Sequence, residues 1–447
     1  MARNEPKEIP NLLRSVRNRL PAANEALLDA IVKQAGLRGT PIYLVGGFIR
    51  DLLLKRPNLD LDLVLEGNAI QLARALTKRY GGRLVAHKTF GTAVWWLPEG
   101  QTHLLRTLRV PKKKNARLPK FFDLITARRE TYKHPAALPS VQFASIHEDQ
   151  YRRDFTINTL AVRLDGADAG RLLDPWGGLR DLHDGLLRTL HPASFSDDPT
   201  RILRILRLAG RLGFKIEKST RAQLNNYLAI LKRVSGERIR TELELVLLEK
   251  ERVSILRSMH KLGVLQTIHP KLRLSNASAH ALESQERSIP SFWNLGDVSR
   301  ADLGFVLLLM NLSPVHIVEI ATRLSFRSEL RAAVLGAAKL KKLETKMSKL
   351  TISKTVELIE GVPDLAIYAV YLAGRNSNAA ERLKLYSSKW RNIQPRTDGN
   401  RLRKLGLKPG PIYKLILSKL RAAWLDGKIR TAKQEQALVD NLLIEHR

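Results

Sequence analysis

The sequence predicts an α+β protein: a head with a small mixed sheet, followed by an elongated arm that is all α. Three observations carry this. Between residues 42 and 126, short apolar or alternating runs are separated by glycines and helical stretches, the pattern of a sheet with helices packed on it. From about Ser145 onward helical periodicity runs almost throughout, with breaks near Pro270, Pro290, Pro314, Pro363 and Pro395. Lys and Arg number 76 against 43 Asp and Glu, a net charge of +33 in a chain that is 44% hydrophobic. A folding chain this basic points to a polyanionic partner, nucleic acid before an anionic membrane surface.

Taken in order, residues 1–40 read as one or two amphipathic helices, with Leu12, Leu13, Val16 and Leu20, then Leu27, Leu28, Ile31 and Val32, at helical spacing. Ile42 to Val45 is an apolar strand that runs into Gly46-Gly47 and the short helix FIRDLLLKR. Residues 59–66, LDLDLVLE, alternate strictly, so Asp60 and Asp62 share one face of a strand. Ala69 to Tyr80 is a helix ended by Gly81-Gly82. Arg83 to His87, Thr92 to Leu97 and Phe121 to Thr126 are strands, and the last presents Asp123. Between them, residues 104–120 carry Arg106, Arg109, Lys112, Lys113, Lys114, Arg117 and Lys120 as a loop, either a solvated hairpin or a nucleic-acid contact. His147 to Leu164 reads as a helix holding Arg152, Arg153, Asp154 and Asn158. Asp197-Asp198-Pro199 opens a long helix, RILRILRLAGRLGF, with Asp197 or Ser196 as its cap. Residues 337–350 form a basic amphipathic helix, and Leu405 to Pro411 a turn between two more.

The chemistry begins at residues 42–66. Two carboxylates projecting together repel unless a cation sits between them, and Mg²⁺, with its oxygen ligands, is the usual answer. The glycine turn sets a helix start nearby, which suits a phosphate. Alone, Asp60 and Asp62 fit the wet face of an amphipathic strand equally well. With no cysteine there is no disulfide framework and no thiolate metal site. No HExxH, Walker A or GxGxxG pattern occurs, and His183-Asp184 is an isolated surface doublet. No apolar run reaches the roughly 18 residues a membrane span needs, and no signal-peptide core is present, so a cytoplasmic soluble protein is expected.

LVGGFIRDLLLKRPNLDLDLV resembles the first motif of class II CCA-adding enzymes, the tRNA nucleotidyltransferases of the DNA polymerase β-like superfamily, which bacterial poly(A) polymerases share. FFDLITARRETY resembles the strand and flexible loop that follow, RRDFTINTLAVRL the second motif, and LLDPWGGLRDL the connector after it. SFSDDPTRILRILRLAGRLGF resembles the base-reading motif, GERIRTELELVL its supporting helix, and GLKPGPIYKLILSKLRAAWLDGKI the tail. Such matches cover roughly residues 40–250 and 398–430, while residues 270–395 align with nothing.

The resemblance implies a polymerase β-like catalytic head over residues 1–188, a helical neck over 189–255, a body over 256–345 and a tRNA-binding tail over 346–447. It implies Asp60 and Asp62 as ligands of two Mg²⁺ ions, with Asp123 as a third catalytic carboxylate. Gly46, Gly47 and Arg50 would face the triphosphate, with Asp51 orienting Arg50. Asp154 would select ribose through its 2′-hydroxyl beside Arg152, Arg153 and Asn158, although a structural ion pair suits Arg152, and a backbone cap Asn158, as well. Asp198 and Arg201, three apart on a helix, would read the base, with Asp197 standing where the family has Glu. The implied activity is template-independent addition of CCA to the 3′ end of tRNA from CTP and ATP, with no membrane and no obligate protein partner. Addition of CC alone or A alone, poly(A) synthesis and an inactive RNA-binding relative stay open as alternatives.

Overall fold

Val45 and Leu63 show how the first half folds: the apolar side chains of its short strands are buried. The computed structural model describes residues 11–110, 118–132, 134–135, 139–284, 289–296, 298–374 and 377–445. Lys112, Lys113, Lys114 and Arg117 of the basic loop lie outside the described residues. The chain forms two compact units, residues 1–234 and 235–447. Residues 189–234 fall in the first unit and 235–255 in the second.

The first unit opens with helices α1 (Leu13–Arg19) and α2 (Ala22–Gly36), then β1 (Ile42–Val45), α3 (Gly47–Leu53), β2 (Asp62–Leu65) and α4 (Ala69–Tyr80). Next come β3 (Arg83–His87), β4 (Thr92–Trp96), α5 (Thr102–Thr107), β5 (Phe121–Thr126), the hairpin β6 (Arg128–Thr131) and β7 (Ser140–Phe143), and α6 (Ile146–Tyr151). It closes with β8 (Ala161–Arg163), β9 (Leu172–Leu173), α7 (Gly178–Asp184), β10 (Leu186–Leu187), α8 (Ser194–Asp197), α9 (Arg201–Leu212), β11 (Lys215–Ile216) and α10 (Lys218–Tyr227). Seven strands make one mixed sheet in the order β3-β4-β5-β2-β1-β8-β9. Only β2 and β5 run parallel; the other pairs are antiparallel.

The core follows the sequence pattern. All four residues of β1 are buried, as are Leu63, Val64 and Leu65 of β2. Tyr43, Val45, Val64, Ala127, Ile146 and Ala161 pack as one cluster. Each fully buried large aliphatic side chain contributes about 1.5–3 kcal/mol, so these central strands fix the carboxylates beyond them firmly. Helix α4 starts as its sequence asks: Asn68 Oδ1 accepts from Gln71 N at 3.0 Å, and Gly81 at φ 79° ends it.

Three expectations are corrected. The helix expected over 147–164 is only α6, six residues long, because the chain after Asn158 joins the sheet as β8 against β1. The start of the expected loop, residues 104–107, belongs to the helix α5. The cap of α9 is Thr200, which makes no side-chain cap bond, while Asp197 instead closes the four-residue α8.

In the second unit the described residues form helices and short 3-10 turns, without strands. Every residue of 301–309 is buried. Trp293 packs on Tyr368 and Tyr371, with ring centroids 5.0 and 4.7 Å apart. The basic stretch near 340 belongs to the helix Ser328–Met347, which buries Ala337, Ala338 and Leu340 on one face. In the tail, Leu402, Ile416, Leu420, Val439, Leu442 and Leu443 form a core, and Tyr413 Oη donates to Leu407 O at 2.8 Å across the glycine-proline turn. Among the described residues no helix is long and apolar enough to cross a membrane.

Candidate active site

Two parallel strands set an acidic corner. Asp62 of β2 and Asp123 of β5 are direct register partners, so both side chains leave the same face of the sheet. Asp60 stands just before β2, exposed, its N–H donating to Asn58 Oδ1 at 2.9 Å. Burial pushes the Asp62 carboxyl up to about 6; the charges of Asp60 and Asp123 push the same way, and Arg153 opposes them. Asp123 is raised as well, by burial and then by Asp60, with His87 pulling it down. Among the described residues, no three acidic or histidine side chains are gathered closely enough to hold a cation by themselves. Mg²⁺ usually takes one or two carboxylates and completes its shell with water and phosphate oxygens. Two repelling, partly buried carboxylates fit that donor set.

Beside this corner a cavity of about 500 Å³ is lined, among the described residues, by eight arginines and four carboxylates, Asp62, Glu130, Asp154 and Asp198. Of the residues expected at the site, all but Asp60, Asp123 and Asp197 line it. Gly46, at φ 72°, lets the chain turn sharply from β1 into α3. A Cβ there would stand 3.0 Å from Arg153 Nη1 and 3.7 Å from Asp62 Oδ2, so any side chain would intrude between these opposite charges. Arg50 is buried and heavily committed. Its Nε and Nη2 donate to the Asp51 carboxylate at 2.8 and 2.9 Å, and its Nη1 to Asn158 Oδ1 at 2.7 Å.

Asp149, fully buried, joins the two arginines of the second motif. Arg152 donates to its Oδ1 from Nε and Nη2 at 3.0 and 2.6 Å, and Arg153 Nη2 donates to its Oδ2 at 3.0 Å. Burial raises the Asp149 carboxyl, but Arg153 and Arg152 outweigh it and hold it below the usual range. Arg152 also reaches Glu130 of the β6–β7 hairpin at 3.3 Å. Asp154 is buried too. Its Oδ1 accepts from Phe155 N and Asn158 Nδ2, both at 2.9 Å, and its Oδ2 from Arg204 Nε and Nη2 at 3.0 and 2.7 Å. Burial would raise this carboxyl, but Arg204 and these hydrogen bonds hold it down at about 2. All four of its acceptor positions are engaged, so a ribose hydroxyl reaching it must displace a present partner.

The base-reading pair is arranged differently from the expected helix face. Asp198 is extended, before α9, and its Oδ1 accepts from Thr200 N and Oγ1 at 3.0 and 2.6 Å. Arg201 is the first residue of α9, buried, donating to Ser194 Oγ at 2.7 Å and to Arg152 O at 2.6 Å. Carboxylate and guanidinium therefore face the cavity across a turn rather than along a helix. An Asp two residues before a hydrogen-bonded N–H makes this kind of turn readily, and Pro199 between them cannot continue a helix backward. Asp197 points to a second cavity, 3.9 Å from His191 Nε2. The His183-Asp184 doublet is exposed at the surface.

Sequence reasoning missed Asp149, Arg204, Arg207 and Arg211. The signal was present: in RILRILRLAGR the arginines at 201, 204, 207 and 211 fall three or four apart, a cationic stripe opposite the Ile/Leu stripe. Asp149 stands three and four residues before Arg152 and Arg153, the spacing of helical ion pairs.

Residues 42–188 match the family described as poly A polymerase head domain, and residues 213–274 the one described as probable RNA and SrmB-binding site of polymerase A. The A-adding tRNA nucleotidyltransferase of Geobacter sulfurreducens is 32% identical over 98% of this chain, and that of Halalkalibacterium halodurans 30% identical over 94%. The chain spans about half the length of the first (49%) and nearly all of the second (92%). A solved Thermotoga maritima CCA-adding enzyme complexed with tRNA superposes with a TM-score of 0.73 at 30% identity, over 98% of this chain and 99% of that one. CCA-adding enzymes solved with ATP and with CTP give TM-scores of 0.78 and 0.74 at 30% identity, over 97% and 98% of this chain and 99% and 97% of theirs. With the head-domain match covering its acidic corner and a relative matched almost end to end, this chain belongs to the tRNA nucleotidyltransferase and poly(A) polymerase family.

Proposed function

We propose that this chain adds nucleotides from CTP and ATP to the 3′ end of tRNA, building CCA without a nucleic-acid template. The observation that carries the reading is that Asp198 and Arg201 both line the wall of the arginine-lined cavity that also holds Asp62. A carboxylate acceptor beside a guanidinium donor matches the amino group and N3 of cytosine, or the amino group and N1 of adenine; guanine and uracil present the reverse pattern. Ser194 and the Arg152 carbonyl hold the guanidinium in one orientation, as selection by hydrogen bonding requires. The excess of arginine suits a triphosphate. Asp154 and Asn158 are the groups offered to the sugar.

Asp62 and Asp123, with Asp60 at the rim, would hold Mg²⁺. Bound there, the ion would supply Lewis-acid activation of the attacking 3′-hydroxyl and stabilisation of the leaving pyrophosphate. Buried Asp149 keeps Arg152 and Arg153 aimed, and Gly46 keeps the space between Arg153 and Asp62 open. The +33 charge supports a tRNA partner held through phosphates. Neither a membrane nor an obligate protein partner enters this reading, which sets the protein in the cytoplasm with its substrate.

A second reading, addition of A alone, is favoured by one observation. Compared by sequence, A-adding relatives match over 98%, 82% and 94% of the chain and CC-adding and CCA-adding ones over 49–63%, while solved CCA-adding enzymes superpose over 97–98% of it. The two readings separate when tRNA ending at the discriminator base, at C and at CC is incubated with CTP and ATP, separately and together. Growth of all three substrates to CCA supports the first. Extension of the CC-ended tRNA alone, by one A, supports the second. Long A tracts on any RNA end would overturn both.

A further inference from the structure

Next to the arginine-lined cavity lies a second one, of about 610 Å³, within the same unit. The two share Glu130, Tyr132, Arg152 and Arg201 as a common wall. We propose that this second cavity is a base-stacking subsite for the 3′ end of the acceptor RNA, a reading that rests on the function proposed above.

Three features point to a nucleobase there. Tyr151 packs against Trp176 and against His191, with ring centroids 4.9 and 5.1 Å apart, so aromatic surface lines the cavity continuously. Tyr151 is 44% exposed, which leaves ring surface for another ring. Trp176, whose Nε1 is buried, adds a second aromatic ring to the cavity wall beside Tyr151. The indole is firmly placed. Asp174 accepts from Gly178 N and Leu179 N at 2.6 and 2.9 Å, closing the turn that carries it. A Cβ on Gly178 would fall 2.3 Å from Thr156 O, so that turn packs backbone to backbone.

Charge separates the roles of the two cavities. The first has eight arginines to four carboxylates, fit for a triphosphate. Among the described residues the second has three arginines, Arg129, Arg152 and Arg201, to three carboxylates, Glu130, Glu148 and Asp197. Such a balanced, aromatic cavity repels a free triphosphate more than it repels a base on an RNA strand, whose phosphates carry one charge each. Its shared wall with the base-reading Arg201 sets the strand end beside the incoming nucleotide.

The test uses the full chain and a short acceptor-stem RNA carrying 2-aminopurine as its last base. The native protein quenches the probe on binding; Tyr151→Ala relieves the quench and raises KM for the acceptor RNA about tenfold, as loss of one stacked ring implies. KM for ATP and CTP stays within about twofold, and Tyr151→Phe restores both readouts. Trp176→Leu also relieves the quench. A quench that survives both Tyr151→Ala and Trp176→Leu, or none with native protein that extends the same RNA, overturns the subsite and leaves the proposed function standing. A quench abolished by equimolar ATP assigns the cavity to a free nucleotide and likewise overturns it. No extension of any RNA end by the native protein would instead overturn the function itself.

Discussion

The acidic corner and the arginine-lined wall use the same residue in opposite electrostatic states. Asp62 and Asp123 are raised, both by burial and then by Asp60, and Asp62 by Asp123 as well. Asp149 and Asp154, more deeply buried, are lowered, because Arg152, Arg153 and Arg204 surround them. Burial alone would raise all four. What decides the sign is whether the fold itself supplies the cation. Where it does, geometry is set before any ligand arrives, as base and sugar selection need. Where it does not, the site stays under-neutralised and strongly favours an external cation, as a chemistry shared by every incoming nucleotide needs.

The sharpest way to break this contrast is Asp62→Asn. Incorporation into CC-ended tRNA should fall about 10³-fold or more, while tRNA affinity is kept. In metal-free buffer at pH 7 the same variant should be more stable than the native protein, by up to about 2 kcal/mol, since it removes a repelled carboxylate. Near-native incorporation, or a loss of stability without metal, would show that Asp62 is satisfied by the protein after all. Asp149→Asn should behave in the opposite sense. Removing one partner of a buried ion pair costs about 3 kcal/mol, and here two arginines lose their anchor. Thermal unfolding should show the loss in any buffer, Mg²⁺ present or not.

The difference between the two regions also explains what could be read in advance. The acidic corner is a matter of strand alternation and register: Asp62 and Asp123 were legible as strand residues and the β2–β5 pairing sets them side by side, whereas Asp60, expected on the same strand face as Asp62, stands just before β2. The arginine wall depends on partners 50 residues apart, such as Arg204 and Asp154, which no local pattern specifies. Asp198 was legible as a residue but not as a conformation, because its bond to Thr200 competes with the helix it was expected to join. The segment after Asn158 was misread as helix for a related reason. Ala161 to Arg163 has no strong local preference, and the open edge of β1 recruits it as a strand.

Acidity sharpens the comparison further. The folded-state pKa of Asp62, about 6, exceeds its ordinary value of 3.8, so the metal-free protein loses stability as pH rises through that window. A cation at Asp62 must displace a proton below pH 6, and the Mg²⁺ needed for half-maximal incorporation should rise about tenfold per pH unit there. Asp154 works in the other direction: its stabilisation is complete above the ordinary carboxylate range and is lost only as pH falls toward 2. Between pH 5 and 7 the Mg²⁺ requirement should therefore change while the preference for ATP over dATP, the choice Asp154 serves, does not. A Mg²⁺ requirement independent of pH over that range would remove Asp62 from the metal's ligands.

The smallest expected effect tests the seam between sugar and base. Arg204 is about a third exposed (36%), so screening limits what its pair with Asp154 contributes, and Arg204→Gln should cost only about 1 kcal/mol of stability. Its effect on choice should be clearer. Arg204 occupies Asp154 Oδ2, while Asn158 and the Phe155 N–H occupy Oδ1. Without the guanidinium, one oxygen becomes available to a ribose hydroxyl, but the carboxylate is left less firmly ionised and less fixed in position. If Arg204 positions Asp154, preference for ATP over dATP should fall about fivefold, through kcat/KM for ATP. If Arg204 merely neutralises a buried charge, stability falls and the preference holds. The second outcome would mean that the arginine wall, like the core beneath it, is built for stability, and that ribose is chosen by Asn158.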